Sequence, residues 1–255
     1  YYGLILLSAA GMMLVAGTRE LISMYLALEL TTFSIVALAA FLKTKESTES
    51  AIKYLVLSAV TSAVMLYGIV LVFGLTGSTH FYGIAEWIGN SNVSSTSLIL
   101  DSGTLGDGAI GFIGFLFILT GFGFKVATVP FHMWVPDVYE GAPTPITAYL
   151  SVASKATGFA ILLRVLYEVF QPIQPDWQLL IAVLAVISMF TGNLLAIVQS
   201  NIKRLLGYST IAHAGYILIG VAVGNAFGQN GVLFYLVVYT ITNLGAFASI
   251  IAISN

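Results

Sequence analysis

Eight stretches of about 16–26 mostly apolar residues succeed one another along this chain, and that succession restricts the fold more than any motif does. They are Tyr1–Ala16, Glu20–Leu42, Ser50–Leu75, Gly108–Val129, Pro145–Phe170, Asp176–Val198, Ile202–Gly224 and Gly231–Ser254. A helix needs about 20 apolar residues to cross the hydrocarbon core of a bilayer. Hydrocarbon offers no partner to a free peptide group, so spans without a closed barrel must be helical. Of 255 residues, 58% are hydrophobic and 8% charged, against about 25% charged in soluble domains. The expectation is an all-α membrane protein, a polytopic bundle forming one transmembrane domain over residues 1–255. Many Gly, Ala, Ser and Thr inside the spans let helices approach closely. The formal net charge of −2 gives no footprint for nucleic acid. With no cysteine, disulfides, thiolate chemistry and cysteine-held clusters are excluded.

Two connections stand out. Residues 76–107 are polar and rich in Gly and Ser, carry Glu86, Asp101 and Asp107, and contain no Lys or Arg. They read as a long non-cytoplasmic loop with a short helical turn around Phe81–Trp87; Asn92-Val93-Ser94 matches a glycosylation acceptor by chance. Residues 130–144 contain Pro130, Pro136 and Pro143. Proline lacks the helix donor and clashes with the preceding turn, so the fourth span is expected to break there. Lys43, Lys45, Lys53, Lys203 and Arg204 fall on one side and Arg19 and Arg164 on the other, which points the lysine-rich side to the cytoplasm or its equivalent. The chain starts and stops at apolar runs, so it is expected to be truncated at both ends.

A charge at the bilayer centre costs at least about 2.5–3.5 kcal/mol on insertion scales, and such residues usually work. Glu29 lies well inside the second span and suits a carboxylate that modulates a buried lysine; the plainer alternative is a protonated carboxyl bonded to Thr32 or a neighbour. Lys125 sits shortly before the proline break. Desolvation lowers a lysine's pKa and a nearby carboxylate raises it, so moving the carboxylate loads or empties the amine; the alternative is a structural lysine on freed carbonyls. Lys155, amid Ser151, Ser154 and Thr157, lies near mid-span. Lys53 either joins this series or snorkels to the headgroups. His132 and His213 either relay protons or satisfy loop and core groups. Lys203 and Arg204 read mainly as topology anchors, and Asp137 and Glu140 as caps or water binders. No metal-ligand set, nucleotide fingerprint or nucleophile appears. The chemistry on offer is movement of protons or cations.

The run from Gly123 through Lys125, Pro130, Phe131, His132, Trp134, Pro136, Asp137, Tyr139, Glu140, Gly141, Pro143 and Pro145 to Ser151, Ser154 and Lys155 resembles the antiporter-like membrane subunits of respiratory complex I. The stretches Gln199–Tyr216 and Leu26–Leu30 match as well. Within that family the likeness is to the subunit N branch, called subunit 2 in organelles. The resemblance implies an antiporter-like fold of two inverted five-helix repeats, each with a broken helix, of which this chain holds one broken helix. It implies proton pumping driven by quinone reduction elsewhere in the complex. Glu29, Lys125 and Lys155 are then the central proton-handling residues, Lys53 and His132 connecting groups, and His213 a further candidate. It also implies no cofactor in this chain, with NADH, flavin, iron–sulfur clusters and quinone held by other subunits. The partners are the other membrane subunits, lipid and protons. The membrane is expected to be the bacterial plasma membrane, with the mitochondrial inner and thylakoid membranes as alternatives. A subunit of a cation/proton antiporter is the competing function, and a membrane anchor with remnant charges a third.

Overall fold

The helix ends are written in local chemistry. Thr44 accepts from the Ser47 N–H at 3.2 Å and starts the helix Lys45–Thr76, which Gly77 closes at φ +65°, a backbone state that glycine adopts at no steric cost. Asn201 accepts from the N–H groups of Lys203 and Arg204 at 2.9 and 3.3 Å and so opens Ile202–Ala222. The computed structural model describes residues 1–91 and 106–254. Asn92-Val93-Ser94 and Asp101 lie outside them.

The described helices are α1 (Tyr2–Gly17), α2 (Leu21–Ala39), α3 (Lys45–Thr76), α4 (Phe81–Asn90), α5 (Asp107–Val126) and α6 (Trp134–Gly141). They continue as α7 (Thr144–Val169), α8 (Gln174–Ile197), α9 (Ile202–Ala222) and α10 (Ala226–Ser254). Seven of them are long and apolar enough to cross a membrane, and α1 is a shorter apolar helix. The third span begins at Lys45 rather than Ser50, because the capped first turn carries the helix past the apolar run. Two π-helical turns interrupt α7, at Leu150–Ser154 and Val165–Val169.

Burial ranks the spans. α5 is 72% buried and α8 and α10 are each 22% buried, so α5 is the inner helix and the other two are peripheral. Close approach depends on missing side chains: a Cβ on Gly68 of α3 would lie 2.7 Å from the Gly114 carbonyl of α5. Helices α8 and α9 mesh the same way, with Gly215 against the Ala185 carbonyl and Met189. Dispersion between such closely fitted surfaces, with no hydrophobic drive in lipid, holds membrane helices together. Short α4 lays Phe81, Ile84 and Ile88 against this core. It is tied to α2 by Leu21 N–H to Thr79 O (2.9 Å) and Phe81 N–H to Arg19 O (3.0 Å). Near the same end Arg164 donates to the carbonyls of Ala16 and Thr18 at 2.7 and 2.6 Å, joining α7 to the end of α1.

The break after α5 is where the structure departs most from an irregular stretch over 130–144. The helix stops at Val126, and Ala127 turns left-handed at φ +64°, a state that disfavours a residue with a Cβ. Helical geometry resumes at Trp134. Pro136 is accommodated because it falls in the first turn of α6, where its missing N–H has no intrahelical partner. The freed backbone groups find replacements: Trp134 Nε1 donates to Phe124 O at 3.1 Å, and Val129 N–H to Ser188 Oγ at 3.0 Å. Tyr54 and Phe124 stack at 5.6 Å, and Trp134 lies 4.8 Å from Tyr54, so the interrupted helix is sealed by protein at membrane depth.

Candidate functional site

Three ionisable side chains enter the interior of the bundle from α2, α5 and α7, the first two lining one cavity and the third turned to α9 and α10. Glu29 and Thr32 are one turn apart on α2 and face α3 and α5. Ser62 of α3 donates to Glu29 Oε1 at 2.7 Å and also contacts the Tyr25 hydroxyl at 3.0 Å. Lys125 enters from the last turn of α5, where its Nζ donates to Thr32 Oγ1; Thr32 in turn donates to Leu28 O at 2.7 Å. Lys125 is buried and Glu29 half-buried. The two line one narrow cavity with Tyr25, Ser58, Thr61 and Ser62. No ion pair joins Glu29 and Lys125 among the described residues: each group ends on a hydroxyl, which can serve as donor or acceptor.

Lys155 follows on α7, directly after the π-helical turn Leu150–Ser154. Its helix packs on α5 through Gly158, where an added Cβ would lie 3.3 Å from Lys125 Cβ. The two lysines therefore sit on touching helix faces. Lys155 is 3% exposed. Its Nζ donates to the Thr210 carbonyl of α9 and lies 4.9 Å from the centre of the Tyr239 ring of α10. Around it, Asn243 donates to Tyr239 Oη and to Ser151 Oγ, each at 2.9 Å. His213 of α9 bonds Tyr235 through Nδ1 at 2.6 Å, and its ring centre is 5.2 Å from that of Tyr239. The structure thus brings His213 to the Lys155 side of the site.

Lys53 and His132 are placed elsewhere. Lys53 is 45% exposed and pairs with Glu49 and Asp137, each at 2.9 Å, so it belongs to a surface network rather than to the buried series. The physical reason is position: Lys53 lies only four residues from Glu49 of the capped opening turns of α3, at the end of the helix where α6 brings Asp137. His132 lies half-buried between α5 and α6, and no hydrogen bond among the described residues joins it to either buried lysine.

Asp137 and Glu140 are also not mere caps. Arg204 Nη1 meets Asp137 Oδ1 at 2.7 Å and Glu140 Oε2 at 2.8 Å. Lys203 donates to the carbonyls of Glu140 and Ala142 at 2.8 and 2.7 Å. Partial burial pushes the Asp137 carboxyl upward, but hydrogen bonds and charge from Lys53 and Arg204 outweigh it and hold the group below its ordinary value. Beside this network, a cavity of about 300 Å³ is lined by Glu46, Glu49, Ser50, Lys53, Asp137, Glu140, Gly141 and Arg204. Sequence reasoning missed Ser62, Thr210, Tyr239 and Asn243. Of these, Asn243 carried the clearest signal, an amide in the middle of an apolar span.

The chemistry available is proton exchange between buried amines and their hydrogen-bonding surroundings; no group of three potential metal ligands occurs among the described residues. Comparison with known proteins bears on this arrangement. The family model described as NADH:quinone oxidoreductase/Mrp antiporter, TM matches residues 18–255. The chain is 50% identical to NADH-quinone oxidoreductase subunit N of Dehalococcoides mccartyi over 264 residues, covering 100% of this chain and 53% of that protein. It is 47% identical to NADH-quinone oxidoreductase subunit N 2 of Chloroherpeton thalassium, covering 100% of this chain and 49% of that one. A chain of respiratory complex I from Thermus thermophilus with bound aureothin superposes with a TM-score of 0.77 at 38% identity, over 97% of this chain and 50% of its own. A chain of the Mrp complex from Dietzia sp. superposes with a TM-score of 0.81 at 21% identity, over 98% of this chain and 44% of its own, a likeness of fold alone. The chain spans about half the length of the curated relatives it matches.

Proposed function

The chain belongs to the NADH:quinone oxidoreductase/Mrp antiporter family of transmembrane proteins, and from that premise we propose that it is part of a proton-translocating subunit N of an NADH–quinone oxidoreductase. It is a multi-pass integral membrane protein with an all-helical fold. In this reading NADH, flavin, iron–sulfur clusters and quinone are bound by other subunits, and this chain's residues hold and move protons. The other membrane subunits of the complex are its partners.

The observation that carries the reading is two buried lysines on touching helices, one beside a carboxylate and one not. Glu29 stabilises the ammonium form of Lys125. At about 4 Å and an effective dielectric of about 20, a charge pair is worth about 4 kcal/mol, which changes the charged-to-neutral ratio of an amine by roughly a thousandfold. With Glu29 held by Ser62 and Lys125 by Thr32, that attraction is only partly used. A rotamer change of two flexible side chains brings them together and loads the lysine. Separating them releases the proton towards Lys155, where it is held by the Thr210 carbonyl and the aromatic surroundings. The basic face, with Lys43, Lys45, Lys203 and Arg204, is the cytoplasmic side, and the cavity at Asp137 and Glu140 admits water there.

The test uses the full-length subunit in its assembled complex, with proton uptake measured per electron transferred. Lys125→Ala and Glu29→Ala should each lower that ratio while quinone reduction continues. An unchanged ratio in both overturns the assignment. Transport that instead requires sodium ions identifies a cation/proton antiporter.

A further inference from the structure

Lys155 is a buried lysine with no acidic partner among the described residues. The ion pairs among the described residues involve Lys53, Arg164 and Arg204, and none reaches Lys155. Apart from the Thr210 carbonyl, its Nζ faces the π surface of Tyr239, 4.9 Å from the ring centre. That ring is buried and held through its hydroxyl. Its hydroxyl lies 2.9 Å from Thr210 Oγ1 and accepts from Asn243 at 2.9 Å. Asn243 also donates to Ser151, one turn before Lys155 on the same helix. His213 covers another part of the ring at 5.2 Å between centres. The clamp therefore links the lysine's own helix to the ring that faces the lysine.

We propose that Tyr239 is a positioning residue for the proton step at Lys155, its clamped aromatic face serving as the counter-charge that this lysine otherwise lacks. The proposal rests on reading Lys155 as a proton carrier. An aromatic face attracts an ammonium through its quadrupole, most strongly when both are out of water, and has no such attraction for the neutral amine. The contact thus favours the loaded form alone. A carboxylate would do the same but could also take the proton. The ring face cannot, so the proton leaves Lys155 onward rather than into its partner. The phenol hydroxyl is engaged with Thr210 and Asn243. The other titratable groups around this cluster are His213 from α9, Tyr139 from α6 and Tyr235 from α10, an imidazole and two phenols, and none carries negative charge near neutral pH. A desolvated contact of this kind changes the charged-to-neutral ratio by about tenfold.

The experiment replaces Tyr239 in the full-length subunit of the assembled complex with phenylalanine, then with phenylalanines carrying progressively more fluorine. Fluorine drains the ring face of negative charge while keeping its shape. Proton pumping in proteoliposomes is measured against electron transfer, with Lys155→Ala as reference. Tyr239→Phe should retain most of the pumping, and the fluorinated series should lose it stepwise, by about tenfold at its end. A flat series overturns the role of Tyr239, provided Lys155→Ala has abolished pumping. If Lys155→Ala pumps normally, the reading of Lys155 as a carrier fails, and this inference with it. Because the fluorinated rings are nearly isosteric, the series decides the matter even where Tyr239→Leu fails to assemble.

Discussion

Removing the guanidinium of Arg204 should free the second half of the broken helix, and the size of the effect follows from the geometry. Arg204 Nη1 lies 2.7 Å from Asp137 and 2.8 Å from Glu140, with the three side chains 29%, 30% and 43% exposed. Partly exposed pairs are each worth roughly 0.5–1 kcal/mol after solvent screening. Arg204→Ala therefore costs about 1–2 kcal/mol and leaves the Glu140 carboxylate bonded to the Asn201 amide, which donates to it at 3.0 Å, with Lys203 nearby. Asp137 keeps Lys53. The cost stays well below the 3–5 kcal/mol of breaking a fully buried pair, because water reaches the stranded carboxylates. Local opening of α6 should become about tenfold more frequent, since 1.4 kcal/mol is a factor of ten. Hydrogen–deuterium exchange of the amides of residues 134–141, in the purified complex, reads this directly, and the amides of α8 serve as an internal control. The difference should shrink as salt approaches about 1 M, where the screening length falls to about 3 Å. A double-mutant cycle with Asp137→Ala should give a coupling of about 0.5–1 kcal/mol. Unchanged exchange in α6, or a difference indifferent to salt, refutes the view that charge holds this segment in place.

Three further outcomes can be checked. Gly158→Ala puts a methyl 3.0 Å from Val126 Cγ1 and 3.3 Å from Lys125 Cβ; overpacking of this kind costs about 1–3 kcal/mol, and pumping per electron should fall, further still in Gly158→Val, with the electron-transfer rate through the complex as the control. Ser188→Ala removes the acceptor of the Val129 N–H and should lower thermal stability by about 1–3 kcal/mol; a melting point equal to that of the parent complex counts against the bond. The depressed pKa of Asp137 gives a pH dependence with a defined sign. Its ionised form stabilises the folded chain at every pH above the unfolded-state value of about 3.9, and the contribution is lost as pH falls through the lower folded value. Protection of α6, corrected for intrinsic exchange, should hold from pH 8 to about 5 and fall only below about 4; loss already between pH 7 and 5 would point to a different group.

What the sequence made legible follows from what a bilayer penalises. Apolar length located the spans, and the cost of a lone charge in hydrocarbon singled out Glu29, Lys125 and Lys155. Neither criterion sees a partner that is neutral. Ser62, Thr32 and Thr210 look like the small polar residues that pack helices anywhere, and Tyr239 like one of the 13 tyrosines in the chain. Nor does either criterion see long-range pairing: Lys53 meets Asp137, 84 positions away, only because the break after Val126 brings α6 back against α3. The same residue shows why boundaries matter. Placed at the start of an apolar run, Lys53 reads either as an intramembrane charge or as a snorkelling one; placed on a helix that the Thr44 cap begins earlier, it is a surface group. The neutral partners are nonetheless the informative ones for mechanism. A lysine locked to a carboxylate would stay charged, whereas one held by a hydroxyl, as Lys125 is by Thr32, or by a carbonyl and an aromatic face, as Lys155 is by Thr210 and Tyr239, stays able to give its proton up. In the proposed reading, weak neutral ligation of two buried amines on touching helices, with one carboxylate lining the same cavity as Lys125, lets a proton be held and then passed on.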